Sequence, residues 1–175
     1  SRWIEAEINT LLICGLYLPN GNPCPGPKFE YKLQWMDKLY NRAFEIILSE
    51  QATIMLGDYN VIPQKQDMAN PKLWLEDALY HFDSRSRFRR ILNLGFIDAF
   101  RTLYPTEKAF TFWDYQRGSW KKNNGIRIDH ALLSPEAADR LKSFQIDSYL
   151  RGEEKPSDHV PIWIEIDKEG QRGVS

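Results

Sequence analysis

Apolar residues along this chain fall into short blocks separated by turn-forming residues, and the spacing within each block predicts an element. Ile8 to Leu18 is an apolar run closed by Pro19-Asn20-Gly21. It reads as a buried strand entering a loop, although periodicity alone also allows a helix. Asn20 to Pro27 is the richest turn segment of the chain. Lys28 to Glu50 contains neither Gly nor Pro, and Trp35, Leu39, Phe44, Ile47 and Leu48 recur at helical spacing, which predicts one long amphipathic helix. Ala52 to Leu56 is a short buried strand ending at Gly57-Asp58-Tyr59-Asn60, so strand, helix and strand form a unit of parallel-sheet type. Ser84 to Leu94 predicts a second helix capped by Ser84 and stopped at Gly95. Four further strands are expected at Phe110 to Tyr115, Ile126 to Leu133, Phe144 to Leu150 and Val160 to Ile166.

Length and composition add one domain to this picture: 175 residues at 42% hydrophobic content enclose a single sizeable core. With no internal repeat, low-complexity segment or linker in view, residues 1–167 are assigned to one domain and 168–175 to a polar, frayed tail. The formal net charge of −1 advertises no nucleic-acid partner, so phosphate binding has to come from local clusters or a metal. Two cysteines, Cys14 and Cys24, do not make a secreted disulfide framework and fit a reducing, cytoplasmic location. The longest apolar stretch, Leu11 to Leu18, falls short of the roughly 20 residues that cross a bilayer. SRWIEAEI has no signal-peptide pattern. No membrane partner is expected.

Candidate chemistry sits at four places. In Gly57-Asp58-Tyr59-Asn60, a carboxylate and a carboxamide one residue apart project from a strand end toward one ion or phosphate, and an Asp there also serves as a general base. Ordinary turn chemistry explains Asp-x-Asn equally well in isolation. Arg127-Ile128-Asp129-His130 places Asp129 beside an apolar strand, where a carboxylate needs a partner, either a catalytic group or simply Arg127 or backbone. Strand alternation turns His130 away from Asp129. Lys155-Pro156-Ser157-Asp158-His159 sets a carboxylate beside an imidazole, a pair that binds metal or holds a proton-transfer tautomer. Tyr17, just before Pro19, either presents its phenol to phosphate or packs as a rim aromatic. Carboxylates, an amide and one imidazole without a cysteine or multi-histidine cluster favour Mg²⁺ or Mn²⁺ over structural zinc.

Basic residues cluster twice. Arg85, Arg87, Arg89 and Arg90 read best as a solvated helix face balanced by Glu76, Asp77 and Asp83. Lys121, Lys122 and Arg127 lie near Phe112, Trp113, Tyr115 and Trp120, a better combination for phosphate contact with an aromatic wedge.

Leu16-Tyr17-Leu18-Pro19-Asn20-Gly21, Gly57-Asp58-Tyr59-Asn60-Val61, Phe112-Trp113-Asp114-Tyr115, Arg127-Ile128-Asp129 and Pro156-Ser157-Asp158-His159 occur in an order that resembles the exonuclease III family of the endonuclease/exonuclease/phosphatase superfamily. The resemblance covers almost the entire chain. It implies a four-layer α/β sandwich of DNase I-like type and Mg²⁺-dependent cleavage of double-stranded DNA, at abasic sites and from 3′ ends. It implies further that Asp58 activates water, that Asn60 stabilises the transition state or links to metal, and that Tyr17 contacts the scissile phosphate. Asp158 and His159 would be the metal-linked and catalytic pair, and Asp129 would act near the leaving group or metal. Asn20, Phe112, Trp113, Lys121, Lys122 and Arg127 are the expected DNA contacts. Phe112 stands where many relatives carry Trp, and Gln116 where they commonly carry Arg.

Family members begin with a further strand-rich half supplying an Asn and a Glu for the metal, and the residues before Tyr17 do not match it. The expectation is therefore a C-terminal portion with exposed apolar edges, nuclease function in the parent enzyme and inactivity in isolation. Gly-Asp-x-Asn and Ser-Asp-His also suit a phosphatase or sphingomyelinase-like phosphoesterase. A non-catalytic DNA-binding fragment is the alternative outside enzymes. No oligomeric state follows from the sequence.

Overall fold

The first apolar run folds as the second arm of a hairpin. In the computed structural model, which describes residues 2–168, β1 (Trp3–Ile8) and β2 (Leu11–Tyr17) pair antiparallel across a turn in which Asn9 adopts a φ of 56°. Ile8 thus belongs to the earlier strand, and β1 was not anticipated. Its two-sided exposure explains why: with Ile4 70% and Ile8 57% exposed, no alternation marks it. It lies at the sheet edge.

The long helix is α1 (Pro27–Leu48), and it returns the chain to β3 (Thr53–Asp58), which pairs parallel to β2 as a strand-helix-strand unit requires. The buried face of α1 is Phe29, Lys32, Met36, Leu39, Ala43 and Ile46, a regular spacing of three and four residues. The expected face shared only Leu39 with it; Phe44 and Leu48 are exposed. The true stripe contains a lysine and an alanine, so hydrophobicity alone found its flank: Trp35 and Ile47 pack partly buried against the same core.

The second helix, α2 (Phe82–Leu92), starts earlier than expected. Its cap is His81, whose Nδ1 accepts from the Asp83 amide (3.2 Å), whereas Ser84 is buried and donates to the Ala78 carbonyl (2.7 Å). The arginine face of α2 is balanced chiefly from α1: Arg87 and Arg90 both reach Asp37. A two-residue strand β4 (Ile97–Asp98), the short helices α3 (Ala99–Leu103) and α4 (Pro135–Ala138), and strands β5 (Asp129–Leu133), β6 (Leu141–Ile146) and β7 (Ile162–Ile166) complete the described strands and α-helices. Phe110 to Tyr115 is not a strand. Phe112 makes only isolated bridges to Ile126 and His159, while Phe110 and Trp113 turn inward to pack with Val160.

The five-stranded sheet runs β1-β2-β3-β5-β4, and β6 and β7 form a separate pair. Period-two alternation sends Leu12, Cys14, Leu16 and Met55 toward Met36, Leu39 and Ile46 of α1 and Phe88 and Ile91 of α2. Ile54, Ala131 and Leu133 pack with Phe100 of α3 and Phe144 of β6, flanked by Ile162 and Ile164 of β7. Helices, sheet and strand pair are successive layers of an α/β sandwich. The polar tail beyond residue 168 lies outside the described residues.

Candidate active site

Three chemistry-bearing residues lie side by side across the sheet. Tyr17 at the end of β2 is in register with Asp58 at the end of β3, and Asp58 is in register with Asp129 at the start of β5. The row follows from topology: β2 and β3 are parallel and end together, and β5 runs antiparallel and so begins there. The Leu18 amide donates to the Asp58 carbonyl and the Tyr59 amide to the Ile128 carbonyl, so pairing continues past the row. Gly57, with φ 141°, permits this approach, because a Cβ there would lie 2.0 Å from the Leu16 carbonyl oxygen.

Asn60 takes a φ of 47°, a left-handed conformation that asparagine tolerates. Its amide N–H donates to Asp58 Oδ1 (2.8 Å), and its side-chain Nδ2 donates to Asp58 Oδ2 and to the Leu18 carbonyl (both 2.9 Å). Asn20 in turn donates to Asn60 Oδ1 (3.2 Å). The turn chemistry of Asp-x-Asn is therefore present, and it fixes the carboxylate at the mouth of a cleft of about 370 Å³.

His159 enters from the loop before β7. Its Nδ1 is 2.9 Å from Asp129 Oδ2, and its Nε2 is 3.9 Å from Asp58 Oδ2. The ring packs edge-on to Phe112 at 5.0 Å. Asp129 thus has its partner, and it is His159; Arg127 is engaged elsewhere. Burial and then the charge of Asp129 push the Asp58 carboxyl up to about 7. Burial opposes charge on His159, but the hydrogen bond and charge of Asp129, aided by Asp58 and Asp158, outweigh it and hold the imidazolium above its ordinary value. A carboxyl that exchanges protons near neutrality, beside an imidazole whose charged form is favoured, is what general acid–base chemistry requires.

Asp158 lines the same cleft, and its carbonyl accepts from the Trp113 amide. Of the expected DNA contacts, Asn20, Lys121 and Lys122 are exposed and Phe112 is partly so. Two expectations are corrected. Arg127 is fully buried, bonded to Asp67 (2.8 Å) and through two nitrogens to Asp98 (3.1 and 2.8 Å), so it cannot meet phosphate. Trp113 is 2% exposed, its indole N–H donating to Asn123. His130 turns away from Asp129 as strand alternation requires; burial and the Arg127 charge bring it down to about 4, and it lies 2.9 Å from the Val61 carbonyl.

Sequence reasoning missed Asn22, Asp77 and Lys32 around the cleft. Asn22 donates to both Asp77 oxygens, and Lys32 sits fully buried beneath. The available signal was Lys32 itself, a charge at a position of the buried helical stripe.

A model of the Endonuclease/Exonuclease/phosphatase family matches residues 1–159. The chain belongs to this family. Its 32% identity to exodeoxyribonuclease III of Haemophilus influenzae extends over 174 residues, 93% of this chain and 64% of that protein. Two solved structures superpose with 95% of this chain and 65% of their own. One is the 3′ phosphatase NExo from Neisseria bound to a product DNA hairpin (TM-score 0.91, 32% identity). The other is an AP endonuclease from Archaeoglobus fulgidus (TM-score 0.90, 33% identity). The mixed α/β, DNase I-like fold expected from the motifs is the fold found. The chain spans just under two thirds of the length of these relatives.

Proposed function

We propose that this chain carries the catalytic cleft of a DNA-repair nuclease of exodeoxyribonuclease III type, which hydrolyses phosphodiester bonds of double-stranded DNA at abasic sites and 3′ ends. The observation that carries the reading is the Asp58, Asp129 and His159 group at one end of the sheet, with Asn60 and Tyr17 beside it. Similarity to exodeoxyribonuclease III and to an AP endonuclease supports DNA as the substrate. Residues 1–167 are read as part of one such domain. The low cysteine count, two in 175 residues, fits a reducing, cytoplasmic setting. Among the described residues no helix is long and apolar enough to cross a membrane.

Hydrolysis forms a bond from a water oxygen to phosphorus and breaks the bond to the leaving sugar oxygen. In this reading Asp58, poised near 7, takes the proton of the attacking water, and His159, oriented by Asp129, exchanges a proton at the reacting oxygens. Asn60 fixes Asp58, and Tyr17, 54% exposed, presents its hydroxyl to the phosphate. Lys121 and Lys122 contribute phosphate contacts away from the chemistry.

The donor set fits a hard divalent cation, Mg²⁺ or Mn²⁺. The cleft offers oxygens from Asp58, Asn60 and Asp158 and no thiol, and the mutual repulsion of Asp58 and Asp129 is a cost that a cation relieves. Among the described residues no group of three or more acidic, cysteine or histidine side chains is arranged to hold a metal ion by itself. Mg²⁺ is compatible with that, being held by one or two carboxylates together with water and substrate phosphate. Asp58, Asn60 and Asp158 are the residues that would hold it, with His159 at their border. When bound, the ion neutralises phosphate charge and stabilises the leaving oxygen.

The test is incubation of the purified chain with a labelled duplex carrying one abasic site, in Mg²⁺ or in chelator, beside Asp58→Ala and His159→Ala. Mg²⁺-dependent incision lost in both variants would establish the nuclease reading and overturn the expected inactivity of the isolated chain. Turnover of a phospholipid or inositol phosphate without DNA cleavage would move the chain to another branch of the superfamily. Salt-sensitive DNA binding without cleavage would make it a binding module.

A further inference from the structure

Lys32 is the one cation in the buried stripe of α1, and its ammonium joins three separate segments of the cleft wall. Nζ donates to the Asn60 carbonyl (2.5 Å), to the Asn20 carbonyl (3.0 Å) and, at the long limit, to the Ala78 carbonyl (3.4 Å). Three carbonyl acceptors match the three N–H groups of an ammonium. The side chain is fully buried, so these bonds replace its hydration rather than supplement it. Gly21 covers the aliphatic stem: a Cβ at that position would lie 2.6 Å from Lys32 Cδ.

Two of the carbonyls belong to Asn20 and Asn60, which line the cleft. Asn20 donates to Asn60, and Asn60 donates to Asp58. The Ala78 segment carries Asp77, which binds Asn22. Asn60 is held at positive φ, and the left-handed turn directs its carbonyl to Lys32 while its amide and side chain go to Asp58. We propose that Lys32 is a positioning residue for the reaction: by clamping the main chain of Asn20 and Asn60 from below, it fixes the amide chain that orients Asp58.

This inference rests on the nuclease reading of the cleft, but it can be tested apart from it. Lys32→Met keeps the stem and removes every donor; Lys32→Arg keeps the charge but presents a planar head to a site built for three diverging bonds. On an abasic duplex in Mg²⁺, the expected result for Lys32→Met is a loss of about 100-fold in kcat, the scale of an ångström-size misplacement of a catalytic group. KM should stay within about twofold, because an interaction used for alignment acts in the transition state. Lys32→Arg should recover part of the loss.

Amide hydrogen exchange supplies the second readout. In Lys32→Met the Asn60 amide should lose protection while Met55, in the middle of β3, keeps its own. Wild-type incision with an unchanged kcat in Lys32→Met overturns the proposal, as does unchanged protection at Asn60. Should the wild type fail to cleave, as the expected inactivity in isolation allows, the exchange result alone decides whether Lys32 orders the Asn60 turn. If Lys32→Met does not fold, Lys32→Arg is compared with wild type by the same two measurements.

Discussion

Asp129 Oδ2 lies 2.9 Å from His159 Nδ1, joining the first residue of β5 to the loop that leads into β7. An aspartate in this position fixes the tautomer of the imidazole and favours its charged form, and it leaves Nε2 directed toward Asp58. Replacing Asp129 by Asn should lower the titration midpoint of His159, read by NMR, because the hydrogen bond and charge that raise it are both weakened. The same variant should lose roughly 100-fold in kcat on abasic duplex, within the range for losing an oriented acid–base group. An unchanged His159 midpoint would show that the pair is not formed in solution.

Asp58 predicts a pH-dependent stability. Its carboxyl is raised in the folded state to about 7 from 3.8, so the contribution it makes to stability is complete below 3.8 and is lost as pH rises toward and through 7. In chelator, Asp58→Asn should match wild type near pH 4 and exceed it at pH 8, by about 2–4 kcal/mol. Denaturant melts at the two pH values measure the gap; a gap that is constant with pH would place the carboxyl near its ordinary value.

Arg127 predicts stability rather than DNA affinity. It neutralises both Asp67 and Asp98 in the interior, and Arg101 shares Asp67 at 2.6 Å. Arg127→Met should cost about 3–5 kcal/mol, since it strands buried carboxylates. Urea unfolding of the variant gives the number directly, and a loss below about 1 kcal/mol would mean the carboxylates find other partners.

Lys121 and Lys122 predict the opposite pattern. Both are exposed, so Lys121→Ala with Lys122→Ala should leave the melting temperature within a degree or two, an exposed-site effect. If both meet phosphate, the slope of log K against log salt on duplex DNA should become shallower by about 2. Fluorescence anisotropy over a salt series provides the comparison, and an unchanged slope would remove this loop from the DNA contact.

Gly57→Ala should disrupt the row of site residues from within the sheet. At φ 141° and with the Leu16 carbonyl 2.0 Å from the added Cβ, neither the backbone nor the neighbouring strand can accept a side chain. A loss of about 3 kcal/mol or more is expected, combining strain with a broken β2–β3 pairing. Thermal unfolding of the variant tests it; a near-native melting temperature would mean the two strands separate here at little cost.

The long helix, the parallel pairing of the strands around it and the placement of Gly57-Asp58-Tyr59-Asn60 at a strand end were legible in the sequence. Each depends on the spacing of residues a few positions apart, which fixes backbone geometry locally. The motifs carrying Tyr17, Asp58, Asn60, Asp129, Asp158 and His159 were legible as candidates for the same reason. Only the tertiary structure decided which of them meet. Tyr17, Asp58 and Asp129 form one row because two parallel strands and one antiparallel strand share a register. Asp129 chooses His159 over Arg127 because Arg127 turns inward to Asp67 and Asp98. In one dimension Lys32 is not singled out, and Arg127 suits either a DNA contact or a partner for Asp129. Burial is a property of contacts between distant parts of the chain, so it was the packing of α1 and β5 that assigned them to the interior.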